Sequence, residues 1–245
     1  MRIISRHSFY LSTVVFLYLS SLPSAHGGQF SEKWWDPMEN LDNWTKSSGW
    51  SNGNVFGCTW NASNVETVWN SAVRLTVNSQ NKTDYCGEIK TSRKFGYGFY
   101  EVNMMAQTKA GIITGFFIYT GPSYGTAWNE IDIEILGSRK IDGKPAVQFN
   151  YAHDGVGGHE YVYGLDFDPA SGFHKYGFDW QPDHIAWYID GAEVYRVAGE
   201  VPKTPSFIWI NQWNFAGEGN WWSGGSWDHS PAFSWFDYVQ FIPKQ

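Results

Sequence analysis

The chain has 245 residues but only two cysteines, no run of basic residues, no sustained helical period and little charge of either sign. Each shortage excludes something. Charged residues make up 17% of the sequence and the formal net charge is −7. With no basic cluster to neutralise phosphates, nucleic acid and anionic membrane surfaces are excluded as partners. Cys58 and Cys86 allow just one intramolecular pairing. In a secreted chain a disulfide is the natural state, worth about 3–4 kcal/mol on the chain-entropy model; two free buried thiols are the alternative. The apolar stretch from Phe9 to Leu22 is too short for a comfortable bilayer span. Arg2, Arg6 and His7 precede it and Ala25-His26-Gly27 follows. This is the layout of a secretory signal peptide over residues 1–27, an uncut signal anchor being the alternative. No later segment is long and apolar enough to span a membrane, so no membrane association is expected after signal removal. Asn-x-Ser/Thr sequons at Asn43, Asn61 and Asn81 add weak support for an extracellular, glycosylated protein.

No linker, repeat or low-complexity segment divides residues 28–245, which read as one domain large enough for a full core. Frequent glycines separate short β-rich runs. Residues 99–104, 112–119, 146–151, 160–163, 207–213 and 233–241 read as strands. In 184–197, Ile185, Trp187 and Ile189 alternate, Asp190-Gly191 supplies a tight turn, and Val194, Tyr195 and Val197 return as the second arm of a hairpin. Many short strands with Gly-rich turns predict an all-β sandwich or jelly roll.

What the chain has in abundance is aromatic side chains, 19% of residues with 15 tryptophans. So many rings exceed the needs of a core, and some are expected to line a surface groove where flat faces stack on sugars. The sharpest local signal is Trp128-Asn129-Glu130-Ile131-Asp132-Ile133-Glu134-Ile135-Leu136-Gly137. At the two-residue period of a strand, Glu130, Asp132 and Glu134 share one face and the isoleucines the other. Three like charges on one face repel, with no basic neighbour in the run to relieve them. The alternation alone fits a solvated acidic face or a cation site as well as a catalytic one. Trp128 beside the cluster and the aromatic surplus favour a sugar site.

Two carboxyl groups flanking a glycosidic bond are the usual apparatus of glycoside hydrolysis. A third between them raises at least one pKa by repulsion, so a proton is held near neutral pH for general-acid use. Residues four apart on a flat strand lie about 13 Å apart at Cα, whereas a retaining pair needs carboxyl groups about 5–5.5 Å apart. Long side chains leaning inward on a concave sheet, with a short one between, meet that demand; the order Glu-Asp-Glu has that form.

At these residues the sequence closely resembles glycoside hydrolase family 16, and within it the lichenases, which are endo-β-1,3-1,4-glucanases. The agreement extends over Trp50-Ser51-Asn52-Gly53, Phe56-Gly57-Cys58-Thr59-Trp60, Cys86-Gly87-Glu88, Gly96-Tyr97-Gly98, residues 116–122, Gln148-Phe149-Asn150-Tyr151 and Phe178-Asp179-Trp180, in order from about Phe30 to the C-terminus. The resemblance implies a β-jelly-roll sandwich of two antiparallel sheets with a concave substrate cleft, and hydrolysis with retention. It implies Glu130 as nucleophile, Asp132 as assisting residue, Glu134 as general acid/base, and a Cys58–Cys86 pairing. It places Trp50, Asn52, Phe56, Glu88, Phe117, Asn150, Asn211, Trp213 and Trp221 in the cleft, with Lys90 and Trp128 beside them. Taken alone, Trp213 and Phe117 fit a core as well as a platform, and Glu88 a mere surface charge. No catalytic cofactor is implied. Asp237 falls where such enzymes often hold a structural calcium through the backbone and this side chain, though one carboxylate is thin support for an ion that takes six or more oxygens.

The chain departs from the lichenase pattern at Lys90 (Arg there), Ala152 (Tyr there, so a wider cleft is expected), Asn129 (Asp there), a turn over 138–145 that reads as longer than usual, and the Trp221-Trp222 loop. These departures bear on linkage. A monomeric enzyme cleaving mixed-linkage β-glucan is the first expectation. A xyloglucan-active or broad β-1,4-glucan hydrolase or transglycosylase of the same family is the second. A non-catalytic glucan-binding lectin is a remote third, because both Glu130 and Glu134 are present.

Overall fold

In the computed structural model, which describes residues 32–219 and 221–244, the period-two runs become strands. The signal segment expected over 1–27 lies outside the described residues. In chain order the strands are β1 (Trp34–Asp36), β2 (Trp44–Lys46), β3 (Thr59–Trp60), β4 (Val65–Val68), β5 (Ala72–Gln80), β6 (Thr83–Phe95), β7 (Gly98–Met105) and β8 (Ile112–Thr120). They continue as β9 (Asn129–Ile141), β10 (Lys144–Ala152), β11 (Tyr161–Gly164), β12 (His174–Trp180), β13 (His184–Ile189), β14 (Ala192–Ala198), β15 (Ser206–Asn214) and β16 (Ala232–Pro243). Two single 3-10 turns, Ala62–Asn64 and Pro122–Tyr124, are the only helical pieces among the described residues.

The strands build two antiparallel layers. One runs β11-β10-β9-β8-β15-β6 with β2 beyond, and the other β5-β16-β7-β12-β13-β14 with β1 and β4 at its margins. The layers are continuous, because the long β5 and β6 pair at their shared turn, from Asn78↔Tyr85 to Gln80↔Thr83. The sandwich is therefore one curled sheet folded on itself. β9 does not end at Gly137, and the turn is not long. The strand continues to Ile141, and Asp142-Gly143, with φ of 49° and 80°, closes a two-residue hairpin onto Lys144. Paired positive φ values match the twist of flanking strands, and Asp190-Gly191 closes the predicted 184–197 hairpin the same way.

The core lies between the layers. Ile131, Ile133 and Ile135 of β9, Phe116 and Ile118 of β8, and Ile208 and Ile210 of β15 are fully buried against Tyr100, Phe178, Trp187 and Phe236 of the other layer. Phe116 meets Phe178 at 5.7 Å and Phe149 meets Trp187 at 5.6 Å between ring centres. Each buried isoleucine contributes roughly 1.5–3 kcal/mol, enough to hold β9 in place despite the repulsion on its other face. The Trp187 indole N–H also donates to the Asp132 backbone carbonyl across the core at 3.1 Å, fixing the middle of β9.

Candidate active site

With the isoleucines turned inward, Glu130, Asp132 and Glu134 line the floor of a cleft on the outer face of the first layer. Strand register puts each carboxylate in a row across the sheet. Glu130 lies between Tyr119 and Ala152, Asp132 between Phe117 and Asn150, and Glu134 between Gly115 and Gln148. The rows extend through Trp209 to Lys90, and through Asn211 to Glu88. Gly115 is required there, because a Cβ would sit 2.5 Å from Asn211 Oδ1.

The three carboxylates have different partners. Glu130 accepts from the Trp128 indole N–H and shares a hydrogen bond with Asp132. Asp132 also accepts from Asn150 Nδ2 at 3.1 Å. Glu134 accepts from Gln148 Nε2 at 3.3 Å. Burial pushes all three up, and for Asp132 and Glu134 the charges of neighbouring carboxylates add to it. Glu130 rises to about 7, held down by its bonds to Trp128 and Asp132. Glu134 rises to about 8, with Glu130 and Glu160 adding to the desolvation. Asp132, between two carboxylates, is raised well above its usual range. The three titrate as one coupled set, with Asp132 pushed up by a carboxylate on either side and Glu134 pushed up further than Glu130.

The cleft has two halves that meet at the carboxylates. The larger, about 1010 Å³, holds Trp50, Asn52, Phe56, Glu88, Lys90, Phe117, Trp128, Asn211 and Trp213 of the sequence-predicted residues. Phe56 stacks on Trp213 at 4.0 Å, and Trp209 lies parallel to Phe117 at 6.0 Å. Asn52 Oδ1 accepts from the Trp60 indole at 2.6 Å, and Trp50 is exposed at the rim. Glu88 is no surface charge. It is buried and pushed up to about 7 by that burial, while accepting from Ser47 Oγ at 2.7 Å and Asn211 Nδ2 at 3.2 Å. The Lys90 ammonium lies 4.3 Å from the centre of the Phe207 ring, with Tyr124 and Trp209 within 6 Å, a cation–π enclosure that a planar guanidinium is not needed to fill. The smaller half, about 620 Å³, holds Asn150 and Trp221. Trp221 is 67% exposed, with the Arg139 guanidinium 5.0 Å from its ring centre.

Ala152 is fully buried and lines neither half of the cleft. Register brings Ala152 opposite Glu130. Cys58 and Cys86 form a disulfide that ties the segment carrying Trp50, Asn52 and Phe56 to β6. Asn43 and Asn81 are exposed, and Asn61 caps the first 3-10 turn by accepting from Ser63 N–H. Asp237 lies outside both halves of the cleft, in the opposite layer, where it accepts from Asn103 Nδ2 at 2.9 Å. Among the described residues no three His, Cys, Asp or Glu side chains gather to hold a metal. A calcium held by backbone carbonyls and the one Asp237 carboxylate needs no such cluster, and the chemistry at the cleft involves no ion.

Tyr119, Tyr124, Trp209, Gln148, Arg139 and Trp222 line the cleft without having been singled out from sequence. Gln148 and Trp209 share strand parity with Asn150 and Asn211, and period two extended along β10 and β15 would have found them. Tyr124 sits on a 3-10 turn and Trp222 in a loop, where no period applies.

A curled antiparallel sheet whose open face carries paired carboxylates flanked by aromatic rings is the architecture of a polysaccharide-cleaving glycosidase. Residues 52–240 match the family model of glycosyl hydrolases family 16. The chain is 41% identical over 235 residues to a β-glucanase of Paenibacillus macerans, covering 94% of this chain and 95% of the relative. The solved Bacillus licheniformis β-glucanase superposes with a TM-score of 0.81 at 41% identity, over 86% of this chain and 98% of that one. A prokaryotic β-1,3-1,4-glucanase (lichenase) from a mouse hindgut metagenome superposes at 0.79 with 39% identity, over 86% and 99%. The chain belongs to glycosyl hydrolase family 16.

Proposed function

We propose that the protein is a secreted, monomeric, endo-acting β-glucanase that hydrolyses mixed-linkage β-1,3-1,4-glucan by double displacement with retention. The observation that carries this reading is the unequal surroundings of two glutamates on one strand face, within a cleft that continues on both sides of them. A cleft that continues past the carboxylates on both sides suits a polymer bound across its middle, which is the endo mode. Glu134, the more basic of the two glutamates, donates its proton to the glycosidic oxygen. Glu130, ionised and steadied by Trp128 and Asp132, attacks the anomeric carbon as the bond to the departing chain breaks, forming a glycosyl ester. Glu134, now a carboxylate, takes a proton from water, which attacks the same carbon and releases Glu130. The Trp221 half receives the departing chain, and the larger half with Lys90 and Glu88 holds the chain that becomes the ester.

The mixed linkage is supported by the likeness to the lichenase and β-glucanase relatives. The xyloglucan reading rests on space at Ala152, whose side chain is buried and lines neither half of the cleft. Secretion is supported by the N-terminal signal pattern and by the disulfide, which persists in oxidising compartments. Product-linkage comparison on barley β-glucan, xyloglucan, laminarin and carboxymethyl-cellulose tests the reading. Cleavage confined to barley β-glucan supports it, and a preference for xyloglucan or laminarin overturns it.

A further inference from the structure

Trp222 makes a hydrogen bond that stacking on a sugar does not require. Its indole N–H donates to Gln148 Oε1 at 2.8 Å, and Gln148 Nε2 in turn donates to Glu134 Oε2 at 3.3 Å. An indole N–H can only donate, so it must meet the carbonyl end of the amide. The amide is thereby held with its NH₂ toward the carboxylate. Turned over, it would present a carbonyl to Glu134, which repels the ionised form. The loop bearing Trp222 is docked on the strand that bears Glu134: Ser138 N–H donates to Ser223 O at 3.3 Å, and Ser138 Oγ to Gly224 O at 3.0 Å. The indole packs against Phe215 and Trp213, with ring centres 5.1 and 5.8 Å away.

We propose that Trp222 is a positioning residue for Glu134, acting through Gln148: it sets the orientation of the one side-chain amide that steadies the carboxylate after its proton has left. The inference rests on the general-acid role proposed above for Glu134. The charged and titratable groups facing Glu134 are Glu130 and Asp132 on its own strand, Arg139 further along it, and Glu160 before β11. β10 contributes only neutral Gln148 and Asn150, Gly115 of β8 brings no side chain, and Trp221 and Trp222 are uncharged. Among the described residues Gln148 is thus the neutral donor set against Glu130, Asp132 and Glu160, and losing its orientation removes a stabiliser of the charged form.

The test is Trp222→Phe, which keeps a ring against Phe215 and removes the donor. Two quantities are read: the titration of the Glu134 carboxyl by ¹³C NMR, and the pH profile of kcat/KM on β-glucan. The expected result is an upward move of the Glu134 titration and of the basic limb of the profile. A fall in kcat of about two- to tenfold should accompany it, the range set by one neutral hydrogen bond, with KM changed less than twofold. Gln148→Leu should move the titration the same way, and Trp222→Phe added to it should have no further effect. An unmoved Glu134 titration overturns the proposal, as does a KM effect alone, which would make Trp222 a sugar platform. Full additivity of the two substitutions also overturns it. The NMR reading needs no substrate. A wild-type protein inactive on every β-glucan would defeat the proposed function and leave this result standing.

Discussion

Asp132 is hydrogen-bonded to Glu130, and burial between two glutamates pushes the aspartate well above its usual range. The middle carboxylate of β9 is therefore a donor, and its neighbour is left as an anion pointing into the cleft. If that bond steadies the nucleophile, Asp132→Ala should lower kcat by about 10- to 150-fold, the range for a hydrogen bond to a charged group. Asp132→Asn keeps an N–H donor and should lose less. Steady-state kinetics on barley β-glucan compare the two, and equal losses would contradict the donor role.

The pH dependence has a definite sign. Glu130 must be ionised, so activity falls as pH drops through about 7; Glu134 must be protonated, so activity falls as pH rises through about 8. The profile of kcat/KM should be a narrow bell, reporting apparent values of the coupled set. With an activated aryl glycoside, which needs little acid assistance, Glu134→Gln should lose the basic limb.

Stability follows the opposite logic from an ordinary salt-bridged carboxylate. Glu134 has its folded value raised from 4.5 to about 8. Its contribution is best at low pH, when the carboxyl is neutral in both states, and becomes a growing penalty as pH rises from about 4.5 to 8. Glu134→Gln should therefore raise the melting temperature, more at pH 8 than at pH 5. A larger gain at pH 5 in calorimetric scans would show that burial does not govern this group.

The Cys58–Cys86 bridge closes a loop with a sequence separation of 28, worth about 3–4 kcal/mol on the chain-entropy model. Replacing both cysteines with alanine should lower Tm by roughly 6–16 °C. KM should also rise, since Trp50, Asn52 and Phe56 lie on the tethered segment.

Trp221 stands exposed over the half assigned to the departing chain. Trp221→Ala should raise KM on the polymer by about two- to tenfold, the range of one aromatic contact. Small aryl glycosides that place no sugar beyond the cleaved bond should be cleaved as before.

Much of this was legible in the sequence because strands encode their faces at period two. The alternation in β9 by itself separates Ile131, Ile133 and Ile135 from Glu130, Asp132 and Glu134, and Asp190-Gly191 marks its hairpin. What was not legible depends on contacts across strands distant in sequence. Glu88 looks like a surface charge until β15 brings Asn211 beside it. Ala152 reads as an opening, yet its side chain is buried and lines neither half of the cleft. The turn after β9 looked long because Ser138 to Ile141 lack the apolar pattern of a buried strand, yet they pair onward to Asp142-Gly143. Trp222 gave no periodic signal, because a loop fixes its side chains through the surface on which it docks.

The account turns on Glu130 attacking the anomeric carbon. The most direct measurement is ¹H NMR of the reducing end first released from barley β-glucan, read before mutarotation. A β-anomer at the newly formed end is predicted. An α-anomer would mean a single inverting displacement and would contradict the role given to Glu130.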